Sequence, residues 1–231
     1  KIPYKPTEEE LNNTYSIVVW YIDESGKVVT VPSGRYEEET GMVKFKTNHF
    51  SLFAVAFAEK NFSDLGNVEW AKNSIEALTA KEIIKADGDT FRPSENITRA
   101  DYLYALVRTL SLNTKINDNF ADISKDSYYY NEIAIAKELG ITLGTGNNKF
   151  SPDLEITRQE MMALTARTLK LLGKLEQTAS ESILDKFTDK HEIAPWAIDS
   201  AAALVNEGLI VGSNNKIMPA RNTTRAEAAE F

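Results

Sequence analysis

The chain has 231 residues, 42% hydrophobic and 26% charged, which is globular material for one large domain or two smaller ones. With no cysteine and only His49 and His191, it has no means to build disulfides, thiolate metal sites or a histidine-rich metal cluster, so neither a metal nor another cofactor is expected. A net charge of −8 and a pI ≈ 5.0 argue against a nucleic-acid partner, and no apolar run approaches the ~20 residues that membrane insertion needs.

The opening segment, KIPYKPTEEE, lacks the apolar stretch of a signal peptide. The β-branched and aromatic runs Tyr15 to Ile22, Lys27 to Val31, Met42 to Lys46 and Leu52 to Phe57 then predict four short strands, separated by the turn clusters DESGK, PSG and EETG. Residues 1–60 therefore read as a small antiparallel, sandwich-like β module. Four short strands make a thin core, so the module is expected to begin mid-domain or to lean on the residues C-terminal to it.

From Asn61 the periodicity becomes helical, with Leu103, Leu106, Val107 and Leu110 on one face. The same region repeats three times. Phe62-Ser-Asp64, Phe120-Ala-Asp122 and Phe187-Thr-Asp189 open the units, an aromatic follows at Trp70, Tyr128 and Trp196, and Pro93, Pro152 and Pro219 each precede an arginine by six residues: Arg99, Arg158 and Arg225. Each unit runs as a first helix, a Gly/Asn-rich loop, an apolar-x-Pro segment and a second helix, giving boundaries at 61–118, 119–183 and 184–231. The loops GTGNN (from Gly144) and GSNN (from Gly212) suit sharp turns. Thr98, Thr157 and Thr224 fit N-cap positions, with Asp101, Glu160 and Glu227 completing capping boxes worth ~1 kcal/mol each. Folding explains the threonine and the acid. The arginine between them is left over.

F-x-D, W-A, G-I-x-x-G, F-x-P and I-T-R-A-E, distributed in this order over three consecutive copies that each keep part of the set across about 170 residues, resemble the S-layer homology (SLH) family; the second copy, with FADIS, GITLGTGNNKFSP and ITRQE, is the nearest to the pattern. The resemblance implies an α+β chain: the antiparallel β module, then a mostly helical pseudo-threefold bundle of three repeats. It implies a non-catalytic anchor at the extracellular surface of a Gram-positive cell wall. The partner would be a secondary cell wall polysaccharide ending in N-acetylmannosamine with a pyruvate ketal, bound in grooves between repeats. The roles carried over fall on Arg99, Arg158 and Arg225, with Asp64, Asp122 and Asp189 and the aromatics Trp70, Tyr128 and Trp196 as groove partners.

Residue chemistry agrees with those roles. A guanidinium bonds a carboxylate bidentately, an aromatic face covers a sugar ring, and Gly140, Gly144, Gly208 and Gly212 allow close backbone approach. An arginine directly after the N-cap is also expected to stand beside helix amides that lack acceptors, which would add to an anion site. Each residue has a plainer reading too: an internal salt bridge for the arginines, core packing for the aromatics, and capping of the next segment or orientation of the arginine for the aspartates. Phe62, Phe91, Phe120, Phe150 and Phe187 read as core.

The repeats are not equal. Repeat one has Glu82 and Ala86 where the others have Gly140 with Gly144 and Gly208 with Gly212, so its loop is expected to bind weakly, and the sugar is expected beside Arg158 or Arg225 first. Repeat three replaces F-x-P by Ile217-Met218-Pro219 and has a short last helix. His49-Phe50-Ser51 resembles the self-cleavage tripeptide of autoproteolytic ZU5-like domains, but it also begins the plain strand FSLFAVAF, and cleavage is not expected. His191 reads as a loop residue. The alternative to glycan binding is a structural module contacting S-layer neighbours; a glycan hydrolase would need a facing carboxylate pair, which the sequence does not single out.

Overall fold

The computed structural model describes residues 1–47, 49–176 and 179–231, and is mixed: antiparallel strands first, helices after. The chain forms two compact units, one of Lys1–Ser94 with Tyr104–Asn113 and Glu230, the other of Glu95–Leu103 with Thr114–Ala229 and Phe231.

In the first unit the strands are β1 (Ile2–Pro3), β2 (Ile17–Ile22), β3 (Val28–Val31), β4 (Arg35–Glu37), β5 (Met42–Lys44) and β6 (Phe53–Phe57). They form two three-stranded antiparallel sheets in the orders β1-β5-β4 and β3-β2-β6. β2, β3, β5 and β6 match the four predicted runs. β1, at two residues, and β4, a single tyrosine between two charged residues, carry no β-branched or aromatic run. Tyr15 and Ser16 are not in the strand but in a 3-10 turn, Thr14–Ser16, ahead of β2. Ile17, Val19 and Val31 of one sheet and Val43 of the other share one apolar cluster, which Tyr21, Phe45, Phe53 and Phe57 extend. Between β1 and β2, TEEE folds as α1 (Glu8–Leu11), held by a Thr7/Glu10 capping box.

Of the repeat helices, α2 (Lys72–Ala80) lies in the first unit. α3 (Arg99–Thr109), α4 (Tyr130–Glu138), α5 (Arg158–Leu171), α6 (Ile198–Asn206) and α7 (Arg225–Glu230) follow. Thr157 and Thr224 make full capping boxes with Glu160 and Glu227, while Thr98 Oγ1 accepts the Asp101 amide at 3.1 Å. Phe91, Phe120, Phe150 and Phe187 are buried and Phe62 is half-buried. Glu82 differs from expectation: its φ is +53°, close to the +69° and +71° of Gly140 and Gly208, so repeat one keeps that left-handed turn despite losing the glycine.

The residue before each TR pair is fully buried, and its backbone forms a ring. The Ile97 amide donates to Thr223 O at 2.9 Å, Thr223 to Ile156 O at 3.0 Å, and Ile156 to Ile97 O at 3.0 Å. Thr223 stands where the other two positions carry isoleucine, and its Oγ1 is buried with no partner among the described residues. An unsatisfied buried hydroxyl costs stability. Thr223→Val is expected to raise the unfolding free energy by about 1 kcal/mol, read as a higher urea midpoint with unchanged slope.

Candidate functional site

Each repeat's opening aspartate fastens the segment before its proline. Asp122 accepts the amides of Phe150 (2.9 Å) and Ser151 (2.8 Å), and Asp189 those of Ile217 (2.9 Å) and Met218 (2.8 Å). In the first unit Asp64 does the same for Phe91 (3.0 Å) and Arg92 (2.7 Å). Arg92, Ser151 and Met218 all have positive φ directly before a proline, and the two amide bonds hold each segment in that strained path. Burial would raise the Asp122 and Asp189 carboxyls, but these amides more than offset it and keep both below the ordinary range. The geometry therefore gives the aspartates a loop-fastening job.

Carbonyls of two of the fastened segments receive arginines. Arg99 Nε donates to Phe150 O at 3.2 Å, with its guanidinium 5.0 Å from the Phe150 ring centre, and Nη1 bonds Glu160 at 2.6 Å. Arg158 Nε donates to Ile217 O at 3.1 Å. The acid near Arg158, Glu227, is bonded instead by Arg221 at 2.5 Å, so the Arg158 η nitrogens have no hydrogen-bond acceptor among the described residues. Burial draws the Arg158 pKa down, and Glu227 counters this. Arg225 is buried. An internal salt bridge is thus present for Arg99, to Glu160 and not to an opening aspartate.

Two expectations require correction. The helix amides beside the arginines are not open: Arg99 N donates to Leu154 O at 2.8 Å, Ala100 N to Pro152 O at 3.1 Å, Arg158 N to Arg221 O at 2.9 Å and Gln159 N to Pro219 O at 2.9 Å. Thr98 and Thr157 accept the third amide of each helix. With all three donors satisfied, the helix start is not an anion site. The second correction concerns pairing. Arg99 and Arg158 each reach the loop of the following repeat, so the premise that ranked Arg99 last, the Glu82 and Ala86 of its own repeat, does not describe the loop beside it.

That loop lines a cavity of about 290 Å³. Thr142, Leu143, Gly144 and Thr145 form one wall, Glu160, Ala163, Leu164 and Arg167 of α5 another, and Arg99 and Trp196 complete it. Trp196 is 52% exposed, and Trp70 and Tyr128 are also exposed, so none of the three is a core residue. The Tyr128 hydroxyl is bonded to Asp101. Gly144 and Gly212 sit where an added Cβ would lie 2.2 Å and 2.5 Å from the carbonyls of Lys149 and Lys216; at Gly140 and Gly208 it would meet nothing. Sequence reasoning missed Arg167, Thr142 and Thr145. Arg167 was detectable, since Arg108 and Arg167 each lie nine residues beyond Arg99 and Arg158.

At the HFS tripeptide the His49 ring packs against Tyr21 and Phe53, and Ser51 Oγ donates to Ile22 O at 3.4 Å. Among the described residues no hydrogen bond joins the His49 imidazole to Ser51.

The model of the S-layer homology domain matches residues 61–103, 119–162 and 186–229, together more than half of the chain. An amylopullulanase of Thermoanaerobacterium thermosulfurigenes is 31% identical over 234 residues, covering 97% of this chain and 12% of that protein. The exoglucanase XynX of Acetivibrio thermocellus is 33% identical over 172 residues (73% of this chain, 15% of the relative), and the S-layer protein sap of Bacillus anthracis 33% over 180 residues (77% and 21%). The chain thus spans about an eighth to a fifth of these relatives' lengths. Among the described residues no helix is long and apolar enough to cross a membrane.

Proposed function

This chain belongs to the S-layer homology family, and from that premise we propose that it is a non-catalytic anchor holding a protein at the cell surface through an acidic wall polysaccharide. The relatives carry names as different as an amylopullulanase, an exoglucanase and an S-layer protein, and share this segment. That distribution supports reading the segment as an attachment module.

The finer reading is a terminal N-acetylmannosamine with a pyruvate ketal. One observation carries it: the cavity beside the repeat-two loop, near the small end of the ligand-pocket range of about 300 Å³ and up, where guanidinium groups, threonine hydroxyls and the exposed Trp196 ring converge. Arginine suits the carboxylate and the indole face suits the sugar ring. In this reading Arg158, with its η nitrogens open, serves a second groove at the repeat-three loop, and Arg225 a third. Asp64, Asp122 and Asp189 shape loops without touching sugar. A pseudo-threefold bundle of repeats at 61–118, 119–183 and 184–231, behind a β module at 1–60, belongs to the same proposal; the Ile97–Thr223–Ile156 hydrogen-bond ring supports it.

Co-sedimentation with purified wall sacculi tests the reading. Binding to intact sacculi is expected, with loss after the polymer is extracted or its ketal pyruvate removed by mild acid. Sedimentation unaffected by either treatment would transfer the assignment to protein contacts with S-layer neighbours.

A further inference from the structure

We infer that Arg167 is the residue by which the cavity recognises the carboxylate of an acidic glycan, while Arg99 serves there as a structural cation; this rests on the wall-glycan reading of that cavity. Three ionic side chains line the space: Arg99, Glu160 and Arg167. Arg99 and Glu160 neutralise each other at 2.6 Å, and the second Glu160 oxygen accepts the Thr157 amide (2.9 Å) and hydroxyl (2.8 Å). Among the described residues no hydrogen bond or ion pair joins Glu160 to Arg167. The net positive charge of the cavity is Arg167's, and that guanidinium makes one long bond, Nη1 to Ile141 O at 3.4 Å, with no other acceptor among the described residues. Most of its five donors remain for a ligand. In a partly enclosed site such a charge acts more strongly than in open water.

Repeat one shows the same position put to another use. Arg108 matches Arg167 and Tyr104 matches Ala163, by offset from the capping threonine. The buried Tyr104 ring lies 5.1 Å from the Arg108 guanidinium, and its hydroxyl donates to Glu82 O at 3.3 Å. A tyrosine occupies the volume that a methyl group leaves open in repeat two, and stacks on the arginine. Ala163 is thus the substitution that exposes Arg167 to the cavity.

The experiment is calorimetry of wild type, Arg167→Gln and Arg167→Lys with the methyl glycoside of N-acetylmannosamine, with and without its pyruvate ketal. Arg167→Gln is expected to lose about 10- to 100-fold in ketal affinity, the worth of a charge-assisted pair, with part recovered in the lysine variant. Its thermal midpoint should stay at the wild-type value, since one 3.4 Å bond is all the fold loses. Wild-type ketal affinity in Arg167→Gln, or equal wild-type affinity for both sugars, overturns this inference and leaves glycan anchoring standing. Failure of wild type to bind either sugar or the sacculi overturns both.

Discussion

Asp189→Ala is expected to lower the unfolding free energy at pH 7 by about 4 kcal/mol, among the largest single-residue effects in the chain. The carboxylate is 5% exposed and accepts two main-chain amides, Ile217 at 2.9 Å and Met218 at 2.8 Å. Hydrogen bonds to a charged group contribute roughly 1.5–3 kcal/mol each, and alanine leaves both donors without their acceptor. The Ile217 carbonyl is in turn the acceptor for Arg158, so loss of the strap should also weaken binding at that loop. The effect depends on pH with a definite sign. Because the folded carboxyl titrates below its ordinary value, its contribution is fully present above about pH 4, the unfolded aspartate range, and is lost as pH falls through the lower folded value. Urea titrations should therefore show wild type and Asp189→Ala converging below about pH 4. A constant gap down to pH 2 would mean that the side chain acts by packing and not as a carboxylate.

Gly144→Ala is expected to cost about 3 kcal/mol, from an unfavourable left-handed residue together with overpacking. At φ +73° its Cβ would lie 2.2 Å from Lys149 O and 2.7 Å from Phe120 Cε1. Neither neighbour can yield without loss. Lys149 O accepts the Thr145 amide at 2.7 Å and the Thr145 hydroxyl at 3.3 Å, closing the hairpin, and Phe120 is buried. Since Leu143, Gly144 and Thr145 wall the cavity, ketal-sugar affinity should fall as well, even at temperatures where the variant is folded. Gly140→Ala is the control: φ is +69° but the added methyl meets nothing, so about 1 kcal/mol is expected, with binding retained. Similar losses for the two variants would remove the steric argument. Repeat one has Ala86 at the position of Gly144 and turns differently beyond it. Its hairpin has positive φ at Gly88 alone, where repeats two and three have it at both Asn147 and Asn148 and both Asn214 and Asn215.

Much of the local structure could be read from residue order because its causes are local. Thr157 and Glu160, or Thr224 and Glu227, lie three positions apart in any helix start, so their capping boxes follow from spacing. The β-branched and aromatic runs became β2, β3, β5 and β6, whereas Arg35–Glu37, one tyrosine between two charges, has no such run and pairs with Met42–Lys44. The fastened loops are intermediate: Asp122 and Phe150 are 28 residues apart, and only the threefold recurrence of their spacing marks them as a unit.

The sequence by itself determined that three copies of one helix–loop–helix unit follow a β module, and which arginine in each copy folding leaves unexplained. Tertiary structure alone decided which loops Arg99 and Arg158 serve and what charge remains for a ligand. Ile97, Thr223 and Ile156 exchange backbone hydrogen bonds across repeats, and this exchange carries Arg99 to the Phe150 carbonyl and Arg158 to that of Ile217. A guanidinium's availability depends on the acid that folding brings within 3 Å of it. Glu160 reaches Arg99, Arg221 takes Glu227 from Arg158, and Arg167 meets no carboxylate among the described residues, a difference of partners that no spacing along the chain encodes.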